Sequence, residues 1–423
     1  MRNRAVQIPM LAILVLSLSG VAGCNPSPPR KGKIVGSSMS PTLRGAHYAV
    51  DCLGCGIQFS CDPEQADERA TLICPNCGST AERDRWKMTA ADPVSVLPDS
   101  KIRRWDIIAF ERDRSTGTTP NYELMTKRVV GLPGESIEFE NGNVFANQVL
   151  ISKPFEIQKQ MRILVCDSKF QSAPSLNWPL TPENRWEFNN GQFQMRTPPI
   201  PGKFAWLDFD YQKNYFQTEA STGSPALEDF YGYNQSLSRK LNRMDEVFVE
   251  LNIRLNGGTL GWRFGNQTEL YEFRINEALS EIQILVGEPN GTPNALLHRA
   301  NISAALNDVQ QKPVQIEFSS FDRVLRVAVN GTELWTYPLD PAGVPITQTI
   351  LSFGGNSDVV KIDRIRIWRD LYYFDADAAK PPQKRAIAGF FVIGDNVPLS
   401  HDSRHWKQPG VAIESVKGKV IFQ

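Results

Sequence analysis

The chain has 423 residues, a length that suggests two or three domains. Its 46 Lys+Arg balance its 46 Asp+Glu, so bulk charge offers no nucleic-acid partner. Hydrophobic residues at 41% and charged residues at 22% argue against a disordered or polytopic membrane chain, and four His argue against a His-rich metal protein.

The amino terminus is basic at Arg2 and Arg4 and then uncharged until Arg30, and its apolar stretch ends in Val21-Ala22-Gly23-Cys24. Small residues before a cysteine are typical of a bacterial lipoprotein processing site, which makes Cys24 a lipidation candidate. Residues 5–23 also approach the roughly 20 apolar residues of a spanning helix, so an uncleaved anchor is a second reading. Either reading gives residues 1–24 as a signal segment or membrane anchor with the remainder on the extracytoplasmic, periplasmic side. A plain secretory signal without an anchor is the third reading. Pro26, Pro28 and Pro29 then make 25–32 a short stiff tether.

Five of the seven cysteines fall between Cys52 and Cys77. Cys52-Leu-Gly-Cys55 and Cys74-Pro-Asn-Cys77, with 18 residues between them, have the spacing of a ribbon that closes a structural four-thiolate zinc site over 52–80. Two disulfides are the competing reading, because an exported protein meets an oxidising compartment. Cys61 and Cys166 either pair with each other or remain thiols.

Beyond the ribbon most of the chain reads as strand. Arg104-Trp105-Asp106-Ile107-Ile108-Ala109-Phe110 is a compact apolar run, and 136–151 reads as a hairpin turning at Asn141-Gly142. Period-2 alternation follows at Val247/Val249/Leu251/Ile253, Tyr271/Phe273/Ile275, Val314/Ile316/Phe318, Leu325/Val327/Val329 and Ile365/Ile367. The pattern predicts a mainly β protein with a β-sandwich of about 230 residues at 152–385. Helix is expected at most in short pieces at 225–241 and 276–282.

Three separated segments carry the chemistry: Gly36-Ser37-Ser38-Met39-Ser40-Pro41-Thr42-Leu43; Lys127-Arg128-Val129-Val130-Gly131-Leu132-Pro133-Gly134-Glu135; and Gly394-Asp395-Asn396 followed by Ser400-His401-Asp402-Ser403-Arg404. A serine hydroxyl needs a base to become a nucleophile, and with no suitably placed His motif a neutral lysine amine must serve. In composition and order the three segments resemble the boxes of bacterial type I signal peptidases. The resemblance covers roughly 33–50, 99–151 and 388–423. It implies a β catalytic core in three parts, at 33–51, 81–151 and 386–423, with Ser38 as nucleophile and Lys127 as general base. Ser400 would orient the lysine amine, and Asp402 with Arg404 would brace the third loop. No cofactor is implied for catalysis, and the implied partners are signal-peptide-bearing preproteins cut after small residues at the membrane. Gly36 stands where many members have serine, leaving the oxyanion to backbone N–H groups, chiefly that of Ser38. Val397, Pro398 and Leu399 replace the usual polar residues.

The insert's pattern is similar to laminin-G or lectin-type sandwiches, and ribbon and sandwich together resemble the extended signal peptidases of planctomycete-type bacteria. Trp186, Trp206, Trp262, Trp335 and Trp368 either fill the core or stack on a glycan or peptide. The alternative to a peptidase is therefore an exported binding protein, weak or inactive in catalysis, that works through the sandwich. His47, His298, His401 and His405 read as surface residues, and the five Asn-x-Ser/Thr sequons, Asn234 among them, carry no weight.

Overall fold

A computed structural model describes residues 28–66, 71–98, 100–113, 122–171, 177–180, 185–200, 202–211, 226–254, 258–276, 280–289, 291–303, 313–340, 346–357, 360–375 and 385–422. The anchor segment and Cys24 lie outside these residues. Among the described residues no helix is long and apolar enough to cross a membrane.

The protein is mainly β. A seven-stranded sheet runs in the order Arg30–Lys33, Pro93–Leu97, Val416–Ile421, Ile107–Asp113, Tyr122–Gly131, Phe390–Ile393 and Gly410–Val411. Strands distant in sequence are thus neighbours: Ile108 is opposite Lys127, and Val392 is opposite Val129. The expected hairpin forms between Ser136–Glu140 and Asn143–Ala146, with Asn141 and Gly142 both at positive φ as a two-residue turn requires.

The alternating segments build two sheets. Val247–Arg254, Val314–Ser319, Val324–Val329 and Lys361–Arg369 belong to an eight-stranded sheet, and Thr259–Asn266, Leu270–Asn276 and Thr349–Gly355 to a six-stranded one. Val249, Leu251, Ile316 and Ile367 of the first share one core with Leu260, Trp262, Phe273 and Phe353 of the second. That shared apolar layer makes the insert a β-sandwich. Trp186, Trp262 and Trp368 are no more than 8% exposed. Trp206, half-buried, lies beneath the Arg263 guanidinium at 3.8 Å.

Helix was expected within 225–241. Residues 226–241 instead hold turns and the two-residue strand Leu227–Glu228, because their polar residues and Gly232 give no apolar helical face. Residues Phe155–Met161 form an α-helix, with Phe155, Gln158 and Met161 buried on one side. His47, read as a surface residue, is buried at 3% exposure, and its Nδ1 lies 2.9 Å from the Gly45 carbonyl. Cys61 and Cys166 are not joined in a disulfide. Burial first, and then the Asp62 charge, push the Cys61 thiol up to about 12.

Candidate active site

Residues 36–45 fold as a tight loop after the strand Arg30–Lys33. Met39 and Leu43, each 1% exposed, anchor it in an apolar cluster with Ile34, Val94, Ile107 and Ala109. Its backbone closes on itself through Ser40 N–H to Ser37 O at 3.1 Å, Leu43 N–H to Met39 O at 3.0 Å and Gly45 N–H to Gly36 O at 3.1 Å. The Ser40–Pro41 peptide is cis. Gly36 has φ +75°, a conformation that L side chains rarely adopt, so the local backbone accounts for glycine here. Ser38 is thereby presented half-buried at the loop's crest.

Lys127 reaches Ser38 from the strand Tyr122–Gly131. Its Nζ is 2.6 Å from Ser38 Oγ, and the residue is 3% exposed. Side chains alternate along a strand, so Arg128 points elsewhere. It forms a bidentate pair with Asp395 at 2.8 and 2.7 Å, and donates to Trp105 O at 2.7 Å and Thr42 Oγ1 at 3.2 Å.

The third segment packs directly on the serine loop. A Cβ on Gly394 would lie 2.2 Å from both Ser38 O and Ser400 Oγ, so only glycine allows this approach. Asn396 donates its N–H to Ser38 O at 3.0 Å and its Nδ2 to Ser37 O at 3.1 Å. Ser400 is 2% exposed, its hydroxyl enclosed beside Gly394 and Asp402. Asp402 accepts from Gly394 N–H at 3.1 Å and from Arg404 Nε and Nη2, each at 2.9 Å. Arg404 also donates to Val397 O at 2.8 Å and Ser400 O at 3.2 Å, so the pair laces this loop together. Burial alone would raise the Asp402 carboxyl. The Arg404 charge and hydrogen bonds from His405 and Arg404 outweigh it and hold the group well below the usual carboxylate range.

Ser38, Lys127, Gly36, Ser400, Asp402 and Arg404 thus gather at one place, while sequence reasoning overlooked three partners. Arg128 and Asp395 stood within the motifs, but their pairing has no local signature. Asn234 looked only like a sequon; it is 6% exposed and hydrogen-bonds Asn396. His401 and His405 are exposed and stacked at 5.2 Å, away from any metal cluster of the described residues.

The four cysteines also converge. Cys52, Cys55, Cys74 and Cys77 place their sulfurs within 4.8 Å of one another, with Cys52–Cys77 at 3.5 Å and Cys55–Cys74 at 3.7 Å. Four thiolates about 2.3 Å from a tetrahedral zinc lie roughly 3.8 Å apart, so the spacing fits a metal, whereas a disulfide needs about 2.05 Å. The two knuckles match in their backbone: Gly56 N–H bonds Cys52 O at 2.8 Å, and Gly78 N–H bonds Cys74 O at 2.9 Å.

In structure, the chain is loosely similar to a galectin of Caenorhabditis elegans, LEC-6, at 12% identity over 29% of this chain and 82% of that one, with TM-score 0.22. It is also similar to the Emp46p carbohydrate recognition domain in its metal-free form, at 9% identity over 47% and 91% of the chains, with TM-score 0.29. In sequence it is 33% identical over 54 residues to Signal peptidase I V of Bacillus subtilis (strain 168). That match covers 13% of this chain and 28% of the relative, well under a third of its length. Residues 8–194, which include Ser38 and Lys127, match the family described as "Signal peptidase, peptidase S26".

Proposed function

We propose that this protein is a membrane-tethered serine endopeptidase that removes signal peptides from exported preproteins after small residues. The observation that carries the reading is the 2.6 Å approach of the buried Lys127 amine to Ser38 Oγ. The amine takes the Oγ proton as the oxygen attacks the scissile carbonyl, and then returns it to the departing amine, leaving an acyl-enzyme. Water, deprotonated by the same amine, releases the acyl group. The Ser38 N–H stabilises the oxyanion. The buried Ser400 hydroxyl steadies the amine, while Asp402 and Arg404 keep the third loop in place.

Substrate lies extended between residues 34–37 and 123–127. The strand Phe390–Ile393 flanks Tyr122–Gly131 only from Arg128 to Gly131, and Val35 is 94% exposed beside the serine loop. Backbone hydrogen bonds would add the peptide as a further strand. The four cysteines hold a structural zinc, and the Pro-rich segment tethers the extracytoplasmic body to the membrane. The competing reading, a binding protein working through its sandwich, has less support, since Trp186, Trp262 and Trp368 pack inside it.

The test is cleavage of an Ala-x-Ala signal-peptide substrate by the full chain in detergent, beside Ser38→Ala and Lys127→Ala. Cleavage by the wild type alone is expected. Equal failure of all three with a folded wild type would overturn the reading.

A further inference from the structure

The sandwich insert sends one short segment into the active site. Asn234 Nδ2 donates to Asn396 Oδ1 at 2.6 Å, and Asn396 Nδ2 donates back to Asn234 Oδ1 at 3.0 Å. Both side chains are buried, at 6% and 1% exposure. Three residues earlier, the Tyr231 hydroxyl is 2.6 Å from Ser40 Oγ. The other end of the segment is fixed to the cysteine ribbon: Gln235 accepts from Ile73 N–H at 2.6 Å and donates to Ile73 O at 2.8 Å, and Tyr233 O accepts from Asp62 N–H at 3.0 Å. Residues 231–235 therefore form a strut between the ribbon and the serine loop.

We propose that Asn234 is a positioning residue for Ser38, and that the insert is for this reason a working part of the active site; the inference rests on the peptidase reading above. Asn396 Nδ2 holds Ser37 O at 3.1 Å. Ser37 C=O and Ser38 N–H belong to one planar peptide unit, so fixing the carbonyl fixes the direction of that N–H. This is the N–H assigned to the oxyanion, where a donor's aim matters in the transition state and little in the ground state. The reciprocal amide pair sets which way Asn396 presents its Nδ2. Without Asn234 the Asn396 amide loses the two bonds that orient it, and of the two donors on Ser37 O only the Ser40 N–H stays fixed in place, so the peptide plane is held less firmly.

The experiment measures kcat and KM of the full chain from pH 5 to pH 9 for wild type, Asn234→Ala and Asn234→Asp, with amide hydrogen exchange of residues 36–45 alongside. Asn234→Ala is expected to lower kcat roughly tenfold to a hundredfold with KM nearly unchanged, as a small misplacement of a catalytic group does. Asn234→Asp sets an ionised oxygen against Asn396 Oδ1 and matches the alanine variant at high pH. At low pH its protonated carboxyl can donate, so its kcat recovers relative to wild type. Exchange at Ser40, Leu43 and Gly45 quickens in Asn234→Ala. Unchanged kcat in Asn234→Ala, or identical pH profiles for the two variants, would overturn the assignment. A wild type that cuts nothing sinks the peptidase reading instead. Exchange then decides the strut alone: faster loop exchange in Asn234→Ala upholds it, and unchanged exchange overturns it.

Discussion

Arg128 and Asp395 form a buried bidentate ion pair 267 residues apart in sequence, one position from the lysine that meets Ser38. Both are almost wholly enclosed, at 1% and 2% side-chain exposure. Because adjacent strand residues face opposite ways, this pair fixes the strand's roll and hence the direction of Lys127. Removing one partner strands a buried charge, a cost of about 3–5 kcal/mol. Arg128→Met and Asp395→Leu are each expected to destabilise the fold by that order in denaturant unfolding. The double variant should recover much of the loss.

Lys127→Ala should lower kcat/KM at least a hundredfold while leaving the fold intact, the usual loss for a general base. Wild-type kcat/KM should rise with pH along an acid limb as the amine loses its proton. A flat profile over pH 5–9 would argue against an amine base.

Two buried carboxylates give stability slopes of opposite sign. Asp402 is held below the ordinary carboxylate range when folded, so its contribution is complete above about pH 4 and fades as pH falls through the lower folded value. Asp370 is pushed up to about 7, chiefly by burial and despite the nearby Lys153 ammonium. The folded state therefore keeps a proton that the unfolded chain has lost, and stability declines from about pH 4 to pH 7. Asp402→Asn should flatten the acid slope, and Asp370→Asn the slope between pH 4 and pH 7, in urea unfolding across pH.

Lys153 is fully enclosed among Asp322, with which it is in direct contact, Asp370 at 2.7 Å, and the rings of Trp105 and Tyr373. It sits between the strand Val149–Leu150 and the helix Phe155–Met161, and Asp370 directly follows the sandwich strand Lys361–Arg369. Lys153→Met is expected to cost about 3–5 kcal/mol by leaving carboxylates unpaired. Loss should appear first as increased proteolysis of the joint.

The cysteine cluster predicts one zinc per chain by elemental analysis, with Cys55→Ser or Cys74→Ser losing it. Chelation should make four thiols reactive that were protected before. A metal-free protein lighter by four hydrogens would instead indicate two disulfides.

Strand alternation at 247–253, 271–275 and 314–318 was legible because one face of each strand is apolar, and an apolar face must be buried. The Asn141-Gly142 turn was legible because few residue pairs tolerate two positive φ angles. The helix Phe155–Met161 was not, since seven residues carry too few periods to declare themselves. His47 was misjudged because a single histidine carries no sign of its burial, which only the packing of the fold decides.

The sequence by itself singled out the residue types of the candidate site, serine, lysine and the Asp402–Arg404 pair, because they stand in three short motifs whose order resembles that of a known family. It also determined the two cysteine knuckles and the β character of the insert, since ligand spacing and period-2 burial are local properties. Only the tertiary structure decided that Arg128 holds Asp395, that Gly394 lies against the Ser38 carbonyl, and that Asn234 of the insert reaches Asn396. Those contacts join residues between 162 and 356 positions apart. A polar side chain carries no local sign of its distant partner, so the pairing is set by how the sheets stack and is absent from the pattern of residues along the chain.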